Sequence, residues 1–279
     1  MQRKFIAGHS WLYYKIYTSY NNQERLLREI FPLVVKDLME KNWISKFFFI
    51  RYQDSYGEHL RIRFLLTNDS CLSSVVTIIQ DIFSPLLNNR YIHNIVIDSY
   101  SRELERYPNE YYEEVESLFF YNSMDILYYL SNHVEKDVLF ILTYIDRVLN
   151  TISSDYLVKH NLFEELFQRL LESKAINKQS FLKNVSSFSK SLIKKLSSSQ
   201  FVEDLNHEKF NCPYLDTHNS ILFKLKDQIP DSVFRVLIID LVHMMINRFF
   251  IKDQNQNEFI LYYTLSKTYN MLNRRNLVS

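Results

Sequence analysis

The sequence predicts an α+β fold, with an antiparallel or mixed sheet in the N-terminal half packed with a largely helical C-terminal half. Three observations carry that prediction. Before residue 100, short β-branched and aromatic runs take turns with helical ones; after Pro108, apolar residues recur at three- and four-residue spacing; and no internal repeat is visible. At 279 residues and 47% hydrophobic content, the chain can bury a large core and could form one big domain or two small ones; a single domain over 1–279 is the expectation.

Residues 11–18 (Trp-Leu-Tyr-Tyr-Lys-Ile-Tyr-Thr) are β-branched and aromatic with partial alternation, which predicts a strand. Asn21 and Asn22 offer turn or cap chemistry before a helix over 25–40, whose apolar spacing persists despite Pro32. Two strands, 46–52 and 60–66, flank a polar segment containing Gly57, the pattern of a β-hairpin. A second helix is predicted over 71–87 and another strand over 91–98. Helical periodicity then marks 110–130, 132–150, 154–173, 178–196, 230–250 and 255–273. The Ser/Lys-rich run 186–200, followed by 206–219, is the predicted mobile loop.

Composition excludes several functions. Lys+Arg 33 against Asp+Glu 32 leaves a net charge of +1, so no global basic field draws the chain to nucleic acid or to a membrane. Any anion binding must be local. Gly8 and Gly57 are the only glycines, whereas phosphate-cradling loops need several close together, so a P-loop or a dinucleotide fingerprint is ruled out. Cys71 and Cys212 cannot form a disulfide framework and lack zinc-site spacing, which fits a reducing cytoplasm. The eight histidines are scattered without metal-ligand spacing, and no nucleophile turn of the Gly-x-Ser-x-Gly type occurs, so neither a metal, a cofactor nor a hydrolytic triad is expected. No signal peptide or membrane span is expected either: the most apolar segment, 233–251, is interrupted by Arg235, Asp240, His243, Asn247 and Arg248.

Three strings carry chemistry. On a strand, His59, Arg61 and Arg63 share one face and Leu60, Ile62 and Phe64 the other, which aligns two guanidiniums for a carboxylate or phosphate. A solvated hairpin face would give the same pattern. Glu103 and Arg106, three apart on one turn, form either a surface ion pair or a carboxylate that orients an anion-binding arginine. His243 and Asn247 lie at i and i+4 on an apolar helix beside Arg248. That spacing suits a satisfied core histidine as well as a proton carrier.

At these residues the chain resembles the elimination domain of lantibiotic dehydratases, also called the thiopeptide-type bacteriocin biosynthesis domain. Trp11-Leu12-Tyr13-Tyr14-Lys15-Ile16-Tyr17 resembles the start of that family. Phe48-Phe49-Ile50-Arg51-Tyr52-Gln53-Asp54 and His59-Leu60-Arg61-Ile62-Arg63 resemble its Phe-Ile-Arg-Tyr-x-Asp and His-Leu-Arg-x-Arg signature. Glu103-Leu104-Glu105-Arg106-Tyr107 resembles its Glu-x-x-Arg-Tyr, and His243-Met244-Met245-Ile246-Asn247-Arg248 its His-Met-x-x-Asn-Arg. The motifs keep the family's order across nearly the whole chain. One departure is Pro108-Asn109, where the family often has Gly-Gly.

The resemblance implies a lyase that removes glutamate from glutamylated Ser or Thr of a precursor peptide, leaving dehydroalanine or dehydrobutyrine. It places His243, Arg61, Arg63 and Arg106 as catalytic, with Glu103 supporting the arginines and His59, Arg51, Asn247 and Arg248 on the substrate. His243 is assigned acid/base work without choosing between them. Implied partners are the precursor peptide, leader plus core, and a separate subunit that glutamylates from glutamyl-tRNA before this chain acts; a homodimer is a candidate assembly. Two rival readings stand beside it. One is a cyclase of the same fold that joins two dehydroalanines by a formal [4+2] cycloaddition into the thiopeptide pyridine, although such cyclases tend to lose the elimination residues. The other is a non-catalytic subunit that presents the precursor.

Overall fold

A computed structural model describes residues 2–173 and 210–276, together with the isolated positions 179, 191 and 194. Its strands are β1 (Lys4–Phe5), β2 (Trp11–Tyr17), β3 (Ile44–Asp54), β4 (Gly57–Leu66), β5 (Asn94–Asp98) and β6 (Tyr100–Ser101). Its described helices are α1 (Tyr20–Arg25), α2 (Phe31–Glu40), α3 (Leu72–Asn88), α4 (Tyr112–Asn132), α5 (Val138–Leu149), α6 (Tyr156–Ser173), α7 (Leu215–Gln228), α8 (Asp231–Phe249) and α9 (Gln254–Asn276). The α+β class is as the sequence predicts. The sheet is resolved as antiparallel: β3-β4-β2-β5 forms one four-stranded sheet, and β1 pairs with β6 in a two-stranded ribbon.

Contacts divide the chain into two units, Met1–Lys136 with Cys212–Lys252, and Asp137–Asn211 with Asp253–Ser279. In the first, strand alternation sorts the sheet into two faces. Leu60, Ile62 and Phe64 of β4, with Phe47 and Phe49 of β3, are fully buried on one face. Helices cover that face: the Phe31 ring of α2 lies 5.8 Å from Phe47 and 5.7 Å from Phe83 of α3. Each such aromatic contributes about 1.5–3 kcal/mol by leaving water.

Pro32 does not break the predicted 25–40 helix, because the turn before it, Leu26–Ile30, is π-helical. The wider turn shifts the hydrogen-bond register where proline lacks its N–H, and the Phe31 amide bonds back to the Leu26 carbonyl. The helix also begins earlier than predicted, at Tyr20, with the Ser19 hydroxyl capping the Asn22 amide. The hairpin tip turns where Asp54 Oδ1 accepts the Tyr56 amide at 2.9 Å, and Gly57 follows at φ 119°, a conformation that favours glycine.

The outer edge of β3 is closed by side chains. The Phe49 amide donates to Ser123 Oγ of α4 at 3.3 Å, and Arg248 Nε of α8 donates to the Phe49 carbonyl at 2.8 Å. Two residues on, the Asn247 side-chain amide imitates a neighbouring strand, accepting the Arg51 N–H at 3.0 Å and donating to the Arg51 carbonyl at 2.9 Å. No outward backbone group of Phe49 or Arg51 is left wanting, so this stretch of the edge offers no unpaired ladder to another strand. The Arg51 side chain, 1% exposed, bonds Glu24 at 2.6 Å and the Arg248 carbonyl at 3.1 Å.

By length and apolar composition, the helical stretch Asp69–Asn88 could cross a membrane, which the sequence reading did not anticipate; Val75, Ile79 and Phe83 are its buried stripe. The predicted helix over 132–150 runs only Val138–Leu149, starting where Asp137 caps the Leu139 amide. The helix predicted over 178–196 and the loop over 186–200 lie outside the described residues. Of the loop predicted over 206–219, the portion from Leu215 is α7 instead. Its buried positions Leu215, His218, Leu222 and Leu225 have helical spacing that the polar residues between them disguise.

In the second unit, α6 packs on α9 through aromatic pairs such as Phe163–Tyr262 at 5.5 Å and Phe167–Tyr263 at 5.3 Å. A buried lysine, Lys159, is satisfied by Asp146 at 2.7 Å and Asn150 at 2.6 Å, and the Tyr269 hydroxyl donates to the same Asp146.

Candidate functional site

The second face of the sheet carries the charged motif. Cross-strand register sets Tyr13, Lys15 and Tyr17 of β2, and Phe48, Ile50 and Tyr52 of β3, opposite Arg63, Arg61 and His59 of β4. This face is not simply solvated, since His59 is 0% and Arg63 only 8% exposed. The Arg63 guanidinium lies between Tyr13 at 4.6 Å, Tyr100 at 4.9 Å and Phe48 at 5.0 Å. Those rings stabilise a cation through their π faces. Among the described residues, no carboxylate lies within ion-pair distance of Arg63, and its Nε has no hydrogen-bond acceptor. A buried positive charge without a counter-ion is costly and is suited to receive an anion.

Two positions earlier, the Arg61 guanidinium carbon sits 3.4 Å from the centroid of the Tyr52 ring, and Arg61 Nε is 3.4 Å from His59 Nε2. Burial pushes the His59 imidazole below its ordinary pKa, which keeps the ring neutral at physiological pH.

Arg106 approaches from the segment after β6. Its Nε and Nη2 bind Asp240 of α8 at 2.9 and 2.6 Å, a bidentate pair, while Nη1 reaches Glu103 at only 3.4 Å. Donating to the Asp240 carboxylate raises the Arg106 pKa further. Glu103 contributes less to Arg106 than its motif spacing implies, and it is bonded to neither Arg61 nor Arg63.

Of these groups, Phe48, Arg63, Tyr100, Glu103 and Arg106 border a cavity of about 70 Å³, whose lining is completed by Ile50, Ser101, Tyr107, Tyr112, Phe119, Met244 and Arg248. That volume accommodates a few waters or one carboxylate. Its walls are fixed by polar contacts: the Tyr100 hydroxyl donates to buried Glu116 at 2.9 Å, and the Tyr112 oxygen accepts the Glu103 amide at 2.9 Å. Burial pushes the Tyr107 phenol well up, so it stays a neutral hydrogen-bonding group.

Arg63, Arg106, Glu103 and Arg248 are thus brought together at the cavity. Arg61 and His59 lie alongside on the same strand face. His243 is half-buried and adjoins Met244, the residue of α8 in the cavity wall, but is not itself part of that wall. Asn247 and Arg51 lie at the β3 edge, engaged with each other. Sequence reasoning missed Asp240, which it noted only as a break in an apolar segment; its place three residues before His243 on one helical face was the available signal. It also missed Tyr13 and Tyr52, for which strand alternation opposite the arginines was the signal.

Residues 11–269 match the family model described as lantibiotic biosynthesis dehydratase C-term. No curated protein matches the sequence. Among solved structures, the fold is similar to the tRNA-dependent lantibiotic dehydratase MibB from Microbispora sp. 107891, with TM-score 0.65 and 18% identity over 97% of this chain; the chain spans only 29% of MibB. It is also similar to TsrL, with TM-score 0.58 and 12% identity, covering 94% of each chain. A third likeness is to TbtD, a pyridine synthase from thiomuracin biosynthesis, with TM-score 0.57 and 11% identity over 95% of this chain and 99% of TbtD.

Proposed function

The chain belongs to the lantibiotic biosynthesis dehydratase C-terminal family, and from that premise we propose that it is a lyase that eliminates glutamate from glutamylated Ser or Thr of a ribosomally made precursor peptide. The observation that carries the reading is Arg63: a buried guanidinium with no carboxylate partner among the described residues, ringed by aromatics, on the wall of a carboxylate-sized cavity.

β-Elimination removes the Cα proton, forms the Cα=Cβ double bond from those electrons and breaks the Cβ–O ester bond, so glutamate departs as a carboxylate. Arg63 meets the charge that develops on the leaving oxygens, in a low-dielectric setting where such stabilisation is strong. Arg61 supplies a second cation along the strand. Arg106, held by Asp240 and Glu103, fixes the cavity's other side. His243 moves the proton, an assignment that rests on its motif and on its place next to Met244.

Precursor peptide and a partner that glutamylates it from glutamyl-tRNA complete the proposal, with 1–279 as one elimination domain. The family match running from residue 11 to 269 supports that extent. A chain of 279 residues with only two cysteines suits a reducing, cytoplasmic setting. A homodimer is the assembly to test by light scattering.

A second reading, pyridine-forming cyclisation, is favoured by one pair of observations: the pyridine synthase TbtD matches this chain over 99% of its own length, and five aromatic residues line the cavity. One experiment separates the two. Purified protein is incubated with a glutamylated Ser-containing precursor and, in parallel, with a dehydroalanine-containing one, and products are read by mass spectrometry. Loss of glutamate from the first supports the lyase; an untouched first substrate with a ring-closed product from the second supports the cyclase.

A further inference from the structure

We propose that Tyr52 and His59 are positioning residues for Arg61: together they hold its guanidinium by one face and by Nε, and so present its two terminal amino groups to a substrate carboxylate. The proposal rests on the reading of Arg61 as a leaving-group cation and adds how that cation is kept in place.

The geometry is built by the hairpin. In the β3–β4 register Tyr52 pairs with His59 and Ile50 with Arg61, so Tyr52, His59 and Arg61 emerge side by side on one face. With its carbon 3.4 Å from the ring centroid, the Arg61 guanidinium lies over the Tyr52 ring in van der Waals contact. The tautomer of His59 follows from its neighbours. Its Nδ1 lies 3.2 Å from the Gly57 carbonyl, which can only accept, so Nδ1 carries the hydrogen and Nε2 offers a lone pair to the Arg61 Nε–H.

That arrangement works only while the imidazole is neutral. A second proton would occupy Nε2 and set a like charge 3.4 Å from Arg61. The ring is 0% exposed and lies between Tyr17 at 4.6 Å and Tyr52 at 5.5 Å. The other charged groups facing it are Asp54, 3.9 Å from Nδ1, and Lys15 on the neighbouring strand. Asp54 is engaged by the Tyr17 hydroxyl at 3.0 Å, which tempers its pull on the imidazole. Arg61 itself has no carboxylate within ion-pair distance among the described residues, so its terminal nitrogens are available to a ligand.

Tyr52 is 45% exposed, so it can be changed without opening the core. The test compares Tyr52→Leu, which removes the ring face, with Tyr52→Phe, which keeps it. The first readout needs no activity: the Arg61 Nε–Hε resonance of ¹⁵N-labelled protein, assigned by its disappearance in Arg61→Lys. In Tyr52→Leu we expect it downfield of its position in wild type and Tyr52→Phe, because the ring's shielding is lost while the hydrogen bond to His59 Nε2 stays. The second readout is glutamate elimination, with kcat/KM down about tenfold in Tyr52→Leu and restored in Tyr52→Phe at an unchanged melting temperature. His59→Phe, which keeps a ring but removes the lone pair, should lower kcat/KM as Tyr52→Leu does; if it does not fold, the Tyr52 pair decides alone. A resonance at the same position in wild type and Tyr52→Leu overturns the clamp, and so does a lost shift with unimpaired elimination. Should wild-type protein eliminate no glutamate, the lyase reading fails, and the resonance still reports whether the clamp exists.

Discussion

Asp240 binds both Nε and Nη2 of Arg106, at 2.9 and 2.6 Å, across 134 residues of chain. Because this one carboxylate occupies the fork edge of the guanidinium, Arg106 cannot offer that edge to a departing glutamate while the pair is closed. Arg106 is therefore better placed to shape the cavity and supply field than to grip the leaving group directly. Arg63, which has no such partner, is left for the direct contact.

Asp240→Asn keeps the shape and loses one charged acceptor. A hydrogen bond to a charged group contributes about 1.5–3 kcal/mol, so the elimination rate constant should fall by about 10- to 100-fold. Single-turnover mass spectrometry on glutamylated precursor checks it. A rate equal to wild type would mean that Arg106 does not need Asp240.

Arg63→Met tests the buried cation. Removing a guanidinium that has no counter-ion among the described residues relieves a desolvation cost, while losing the cation–π contacts gives back about 0.5–2 kcal/mol. The expected protein melts within a few degrees of wild type yet accumulates glutamylated peptide. A melting temperature lower by more than about 10 °C would make Arg63 a structural residue instead.

Much of this face can be read from alternation in the sequence. His59, Arg61 and Arg63 against Leu60, Ile62 and Phe64 predicts both a strand and its two faces, and Gly57 marks the turn. The limits were physical. β1 and β6 have two residues each, too few to show a period. Asp240 is a single acid on a helix whose partner lies far away in sequence, and no local pattern encodes that distance. The helix α7 escaped because its core stripe includes His218, a residue that reads as polar although it is 0% exposed.

Asn247 was expected on the substrate, and its amide instead joins both backbone groups of Arg51. Asn247→Ala strands one N–H and one C=O in a part-buried edge, at about 1–3 kcal/mol each if unpaired. The measurable result should be a melting temperature lower by roughly 5–15 °C, with the KM of the folded fraction unchanged. An unaltered melting temperature with a raised KM would return Asn247 to the substrate.

His218 makes the fold sensitive to acid. Burial, with a smaller contribution from the Arg248 charge, lowers its pKa from the ordinary 6.5 to about 4. Between those values the unfolded chain takes up a proton that the folded chain refuses. The contribution is therefore fully present above pH 6.5 and is lost as pH falls toward 4, at about 1.4 kcal/mol per pH unit. His218→Gln, similar in size and without a titrating group, should be less stable than wild type at pH 7.5, and the gap should narrow by about 2 kcal/mol at pH 5. Urea unfolding of both proteins at the two pH values measures it, and carboxylates elsewhere cancel in the difference. A gap that stays constant would show that His218 takes its proton in the folded state as readily as in the unfolded one.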